Sequence, residues 1–258
     1  MKKIFFMLLA LLAIINAKSI SKEQCSNLKD SYIFSAGECI HFASFEGEVK
    51  DKFIVTVHGA WKEGADTLSR YKTFAENLNL ESDITTVAVA LPGYSGSSTN
   101  HIQALTHNKN AVHMAATKAY VEFLATLLKD LKSKFKAKEL TVVAHSAGAM
   151  ATATVLGYKP KLIQNAILAG GRYDIHKIDK TKGLISAVDF VDKISKESKI
   201  ALVYGTKDTI SKPEVTKEFY QLAKSKGVNV TIVEVKDAPH LDLDMQEKSI
   251  ETLLKMVK

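Results

Sequence analysis

The chain has 258 residues, 46% of them hydrophobic, and a formal charge of +7 carried almost wholly by lysine. This length and apolar fraction suffice for one large core and argue against a disordered or small disulfide-scaffold class. Its lysines are scattered, as at Lys129, Lys132, Lys134, Lys136 and Lys138, and no basic run alternates with aromatics, so no nucleic-acid partner is expected.

At the N-terminus, Lys2 and Lys3 precede an apolar run from Ile4 to Ile15 that closes at Asn16-Ala17. This is the pattern of a signal peptide over residues 1–17, followed by a single mature domain over residues 18–258. Loss of Lys2 and Lys3 lowers the formal charge to +5. The run falls short of the roughly 20 apolar residues a spanning helix needs, so no stable membrane insertion is expected after cleavage. Retention as an N-terminal anchor is the alternative. An exported chain, periplasmic or secreted, meets an oxidising compartment, where its only cysteines, Cys25 and Cys39, are expected to bridge. Two buried free thiols are the other reading of that pair.

Ser31 to Phe45 carries Tyr32, Ile33, Phe34, Ile40 and Phe42 around Ala36-Gly37, which predicts two strands joined by a turn, the antiparallel edge of a sheet. From Phe53 onward, short β-branched runs alternate with longer amphipathic ones, the rhythm of a parallel sheet covered by helices on both faces. Strands are predicted at Phe53–Val57, Ile84–Ala90, Leu140–Ala144, Asn165–Ala169, Ile200–Tyr204 and Val230–Val235. Helical spacing marks Gly64–Leu80, Val112–Phe135, Ala147–Gly157, Lys182–Ile194, Pro213–Lys226 and Met245–Val257. The stripe Val121, Leu124, Leu127, Leu128 and Leu131 reads as core. The stretches Gly96–Val112 and Gly171–Lys182 lack periodicity and are the expected walls of a substrate pocket. No repeat or linker divides the chain.

Leu140 to Met150 reads as strand, sharp turn at Ser146, then helix, with small residues, Ala144 and Gly148, two before and two after the serine. A strained turn needs small neighbours there, because larger side chains would meet the adjacent strand and helix. The segment resembles the nucleophile elbow of the α/β-hydrolase family, with Ala144 in place of its first glycine. The resemblance implies that an acid and then a histidine follow in chain order. Asp208 follows the strand ending at Tyr204, and His240 follows the strand ending at Val235, both at the carboxyl edge where open α/β sheets place their sites. Taken singly, Asp208 also reads as a turn or helix-cap aspartate and His240 as a surface-loop histidine; their joint placement favours the triad. Asp174 is the reserve acid, and Asp237, Asp242 and Asp244 read as solvated loop residues.

The turn His58-Gly59-Ala60-Trp61 resembles the family's His-Gly turn after its third strand, which implies an oxyanion hole built from the N–H groups of Ala60 and Ala147. His58 reads as a structural hydrogen-bonder. Leu91-Pro92-Gly93-Tyr94-Ser95-Gly96 resembles a Pro-Gly-x-Gly turn of the family with Ser95 inserted. Trp61, Tyr94 and His145 are placed at the substrate pocket, the His145 ring turned into the scaffold rather than acting as base. His101, His107 and His113 lie six residues apart, which fits no common metal-ligand spacing, and no phosphate loop occurs, so neither metal nor cofactor is expected.

With a serine nucleophile, the expectation is a carboxylesterase for small or medium acyl esters working through an acyl-enzyme. The segment Gly171 to Ile200 is too short for a large helical lid. Thioesterase, acyltransferase and serine peptidase chemistry use the same triad and stay open, as does a non-catalytic binding role on this scaffold.

Overall fold

The computed structural model describes residues 19–106 and 113–258. The apolar run, the cleavage site and His107 lie outside them. In chain order the elements are α1 (Lys22–Asn27), β1 (Tyr32–Ser35), β2 (Glu38–Phe45), β3 (Val49–Val57), α2 (Thr67–Ser82), β4 (Ile84–Val89), α3 (Lys118–Lys134), β5 (Glu139–His145), α4 (Ala147–Tyr158), β6 (Asn165–Ala169), β7 (Lys199–Gly205), α5 (Pro213–Ser225), β8 (Val230–Val235) and α6 (Glu247–Val257).

The strands form one eight-stranded sheet in the order β1-β2-β4-β3-β5-β6-β7-β8. The β1–β2 and β2–β4 pairs are antiparallel, and every other pair is parallel. Ala36 and Gly37 both take positive φ, 49° and 85°, as a tight hairpin turn between β1 and β2 requires. The central strands are mostly apolar because both faces are covered: the last six residues of β5 and all of β6 are buried. On one face α2 packs on β2 and β4 and meets α6; α3 and α4 pack together against the other. This is the α/β-hydrolase architecture.

Three of the predicted helices start later than apolar spacing alone suggests, and for α2 and α3 the reason is capping. Asp66 accepts the Ser69 N–H at 3.2 Å and starts α2 at Thr67; Thr117 accepts the Tyr120 N–H at 3.2 Å and starts α3 at Lys118. The predicted stripe of α3 is buried as core. Lys182–Ile194 is not an α-helix. Asp189 accepts the Ser186 N–H at 2.8 Å, and only a 3-10 segment, Ala187–Lys193, follows. The region between β6 and β7 thus carries two short 3-10 pieces, Ile175–Lys177 and Ala187–Lys193, and no large lid.

Cys25 and Cys39 are bridged, with Cα atoms 5.6 Å apart, tying α1 to β2 in a small cluster with Ile20, Tyr32 and Phe34.

Candidate active site

Between β5 and α4 the backbone turns at Ser146, which adopts φ 54° and ψ −119°. A positive φ in a non-glycine residue costs about 1–3 kcal/mol and persists only where the surroundings impose it. Here the Ser146 N–H donates to the Ala169 carbonyl at 2.8 Å, pinning the turn to β6. Close approach sets the neighbours. A Cβ on Gly148 would come within 2.4 Å of the His58 carbonyl oxygen, and one on Gly59 within 2.7 Å of the Ser146 Cβ. Ala144 fits the first glycine position because it is fully buried in β5, where its methyl group is core.

Ser146 Oγ lies 2.8 Å from His240 Nε2, and His240 Nδ1 lies 2.8 Å from Asp208 Oδ2. The other Asp208 oxygen accepts the N–H groups of Ile210 and Ser211, each at 2.8 Å. Its side chain is wholly buried, whereas the His240 ring keeps 14% exposure. This donor set suits an acceptor-only carboxylate, and it fixes the imidazole with Nδ1 protonated and Nε2 free to accept the serine proton. Asp174, the reserve acid, is not part of this chain of contacts. It borders a groove of about 700 Å³ between the Arg172–Ile178 segment and the first turns of α5. Arg172 ties that groove to the Asp208 turn by donating to the Ile210 carbonyl at 2.7 Å. The Gly171–Lys182 stretch thus walls a groove, but none of Ser146, Asp208 and His240 lines it.

Facing Ser146, β3 ends in His58-Gly59-Ala60. His58 is fully buried; its Nδ1 donates to the Gly59 carbonyl at 2.7 Å and its Nε2 accepts the Leu91 N–H at 3.0 Å. Burial drives its pKa down to about 4, so it is a neutral strut holding the turn to the end of β4. Ala147 is the first residue of α4, where backbone N–H groups lack helical acceptors, and neither its N–H nor that of Ala60 donates to a described residue. Both residues are partly exposed beside Ser146.

Two residues assigned to the pocket do not line one. Tyr94 is fully buried, its hydroxyl taken up by the Leu105 and Trp61 carbonyls; His145 is 4% exposed, with Nε2 against the His240 carbonyl at 2.8 Å. Both brace the site from behind, because the tight turns that carry them point their side chains into the scaffold. Trp61 stays half-buried at the edge, under the Arg70 guanidinium at 5.4 Å. Arg70 in turn pairs with Asp242.

Asp237 is exposed and paired with Lys207, but Asp244 overturns its reading as a solvated loop residue. It is 1% exposed, on the 3-10 turn Leu243–Met245 that packs over the ends of β5, β6 and β7. The one sequence signal of an inward-facing segment was its neighbour Leu243, which is fully buried, whereas Leu241 is exposed. Among the described residues no group of three or more His, Cys, Asp or Glu is gathered as metal ligands. His113 instead pairs with Asp179 at 2.8 Å.

Several solved structures share the fold at low sequence identity. The Pyrococcus furiosus esterase Pf2001 aligns with a TM-score of 0.65 at 17% identity, covering 92% of this chain and 96% of its own. Est1E from Butyrivibrio proteoclasticus, solved with ferulic acid bound, aligns at 0.61 and 14% identity, covering 89% and 96%. The Paleococcus ferrophilus monoacylglycerol lipase aligns at 0.61 and 16% identity, covering 84% and 98%. No curated protein sequence matches the chain. Residues 48–200, which include the His58 turn and the Ser146 elbow but stop before Asp208 and His240, match the Hydrolase_4 family, described as serine aminopeptidase, S33. The chain belongs to this family of α/β hydrolases.

Proposed function

We propose that the protein is an exported serine esterase acting on small or medium acyl esters through a Ser146–His240–Asp208 triad. The observation that carries this reading is the pair of 2.8 Å contacts linking Ser146 Oγ, His240 and the buried Asp208. In the reaction, Ser146 Oγ attacks the ester carbonyl while its proton passes to His240 Nε2. The carbonyl oxygen gains negative charge and takes hydrogen bonds from the N–H groups of Ala60 and Ala147. Collapse expels the alcohol, which takes the proton from His240, and leaves an acyl group on Ser146. Water, deprotonated by His240, then releases the acid. Asp208 keeps the ring in the right tautomer and offsets its positive charge. Ester specificity is supported by the short β6–β7 connection, which lacks a large helical lid. Export is supported by the Lys2-Lys3 start, the apolar run and the Cys25–Cys39 pair.

The test is a fluorophosphonate probe on the purified mature protein and on Ser146→Ala, read by intact mass. One adduct on the parent and none on the variant is the expected result. No adduct on folded parent protein would sink the enzymatic reading in favour of binding without catalysis. A parallel screen of nitrophenyl esters, acyl thioesters and aminoacyl nitroanilides separates esterase from thioesterase and aminopeptidase, because each releases a measurable alcohol, thiol or amine as Ser146 is acylated.

A further inference from the structure

Behind the candidate triad lies a buried acid that the reaction above does not use. Neither oxygen of Asp244 has a hydrogen-bond partner among the described residues. The turn that carries it packs on the end of β5, where His145 stands, and the His145 ring and the Tyr71 hydroxyl of α2 are near enough to act on its carboxyl. The other charged groups in reach are Asp242, beside it on the same turn, and Arg70 of α2. Arg70 is already committed to Asp242. An ionised carboxylate buried without a donor or cation is among the costliest arrangements in a protein, and such a group takes up a proton instead. Burial accordingly pushes the Asp244 carboxyl above the usual carboxylate range.

His145 supplies the complementary need. Its Nε2 sits 2.8 Å from the His240 carbonyl oxygen, an acceptor, so Nε2 carries the proton. In a neutral ring Nδ1 is then an acceptor that wants a donor. We infer that Asp244 is a positioning residue, a neutral acid that takes the Tyr71 hydroxyl proton on one oxygen and donates its own proton to His145 Nδ1. This holds His145 in the tautomer whose Nε2–H secures the His240 backbone. With the carboxyl turned from its present orientation to meet both groups, the chain closes with one proton per link. His58, the remaining titratable group near His145, has both ring nitrogens engaged elsewhere. The inference rests on the triad reading only in what His240 does, not in how it is held.

Two variants separate a neutral acid from an ion pair. Asn in place of Asp244 keeps an acceptor and a donor for the two links and adds one further N–H, so Asp244→Asn should label close to the parent's fluorophosphonate rate, with the acid limb of its pH profile unmoved. Asp244→Ala leaves His145 Nδ1 unpaired and should slow labelling about tenfold, the kinetic equivalent of one lost buried hydrogen bond. If Asp244 is ionised, Asp244→Asn removes a negative charge near His240, and the acid limb moves to lower pH; that outcome, or a labelling loss in Asn equal to that in Ala, overturns the inference. So does an Ala variant as fast as the parent.

Thermal unfolding gives a readout that needs no turnover. A carboxyl with a raised folded pKa stabilises fully below its unfolded value of about 3.8 and loses that contribution as pH rises toward the folded value. The Asn variant should therefore gain on the parent as pH rises above about 4. A constant gap overturns the neutral acid even if the parent takes no probe, whereas an unlabelled parent with a widening gap removes the triad reading alone.

Discussion

Ser146 holds a strained backbone so that its hydroxyl meets His240, and the residue that makes room for it is Gly59. A methyl group there would sit 2.7 Å from the Ser146 Cβ, so Gly59→Ala must push the His58–Ala60 turn away from the elbow. The Ala60 N–H moves with that turn. Loss of one oxyanion donor costs about 10²–10³ in rate, and the Gly59→Ala variant should lose labelling or ester turnover by at least the lower figure while unfolding near the parent's midpoint. A variant that keeps its rate would remove Ala60 from the site. His58 gives a second test at this scale. Its folded pKa, about 4, lies below the ordinary 6.5, so the unfolded chain binds a proton there that the folded one refuses. Stability from this group is whole above pH 6.5 and is lost as pH falls toward 4, by about 3 kcal/mol across the window. In a histidine-labelled sample the His58 ring resonances should stay fixed from pH 8 to pH 5, while exposed histidines titrate.

Among the elements, β2 has a job that its sequence does not advertise. Glu38 opens the strand fully buried, and its two oxygens take the Ser98 hydroxyl and the N–H groups of Asn100, His101 and Ile102. The carboxylate thus folds the loop after β4 back onto the sheet edge. Each oxygen serves two donors, so Gln in either amide orientation turns an NH₂ toward a backbone N–H. Glu38→Gln should destabilise by about 2–4 kcal/mol in urea titration despite its near-identical shape; a loss under 1 kcal/mol would mean the loop is held by other contacts. Sequence periodicity located every parallel strand, because buried strands need β-branched runs bounded by turns. It could not find Glu38, since a glutamate directly after the Ala36-Gly37 turn reads as solvent-facing. The Lys182–Ile194 helix failed for a related reason: its apolar residues have helical spacing, but the Ser186–Asp189 contact closes a tighter turn first. The triad was legible because strand ends impose an order on it, whereas Asp244 faces inward only through the packing of three strand ends.

For the whole molecule, the sheet has two unequal edges. The β8 edge is finished by α5 and α6; at the β1–β2 edge, beyond the contacts of α2 with β2 and α3 with β1, sits α1, six residues long, with a satellite cluster of Ile20, Cys25, Cys39, Tyr32 and Phe34 separate from the main core. So small a cluster buries too little apolar surface to hold a short helix alone, because a six-residue helix is far below the length at which helices persist in water. The covalent bridge makes up the difference. Closing a loop with a sequence separation of 14 removes unfolded-chain entropy equivalent to about 3 kcal/mol, the same order as one buried side chain. Since Cys39 follows Glu38 directly and its N–H donates to the Ser98 hydroxyl at 2.8 Å, slack at this edge passes to the loop that Glu38 anchors. The oxidised protein should take up no maleimide when denatured without reductant. The Cys25→Ser, Cys39→Ser double variant should melt about 5–10 °C lower than the parent. Its labelling rate at 25 °C should be nearly unchanged, because the strand ends that carry Ser146, Asp208 and His240 belong to the other half of the sheet. A double variant that keeps its midpoint but loses its rate would reverse that assignment, making the edge part of the site rather than its fastening.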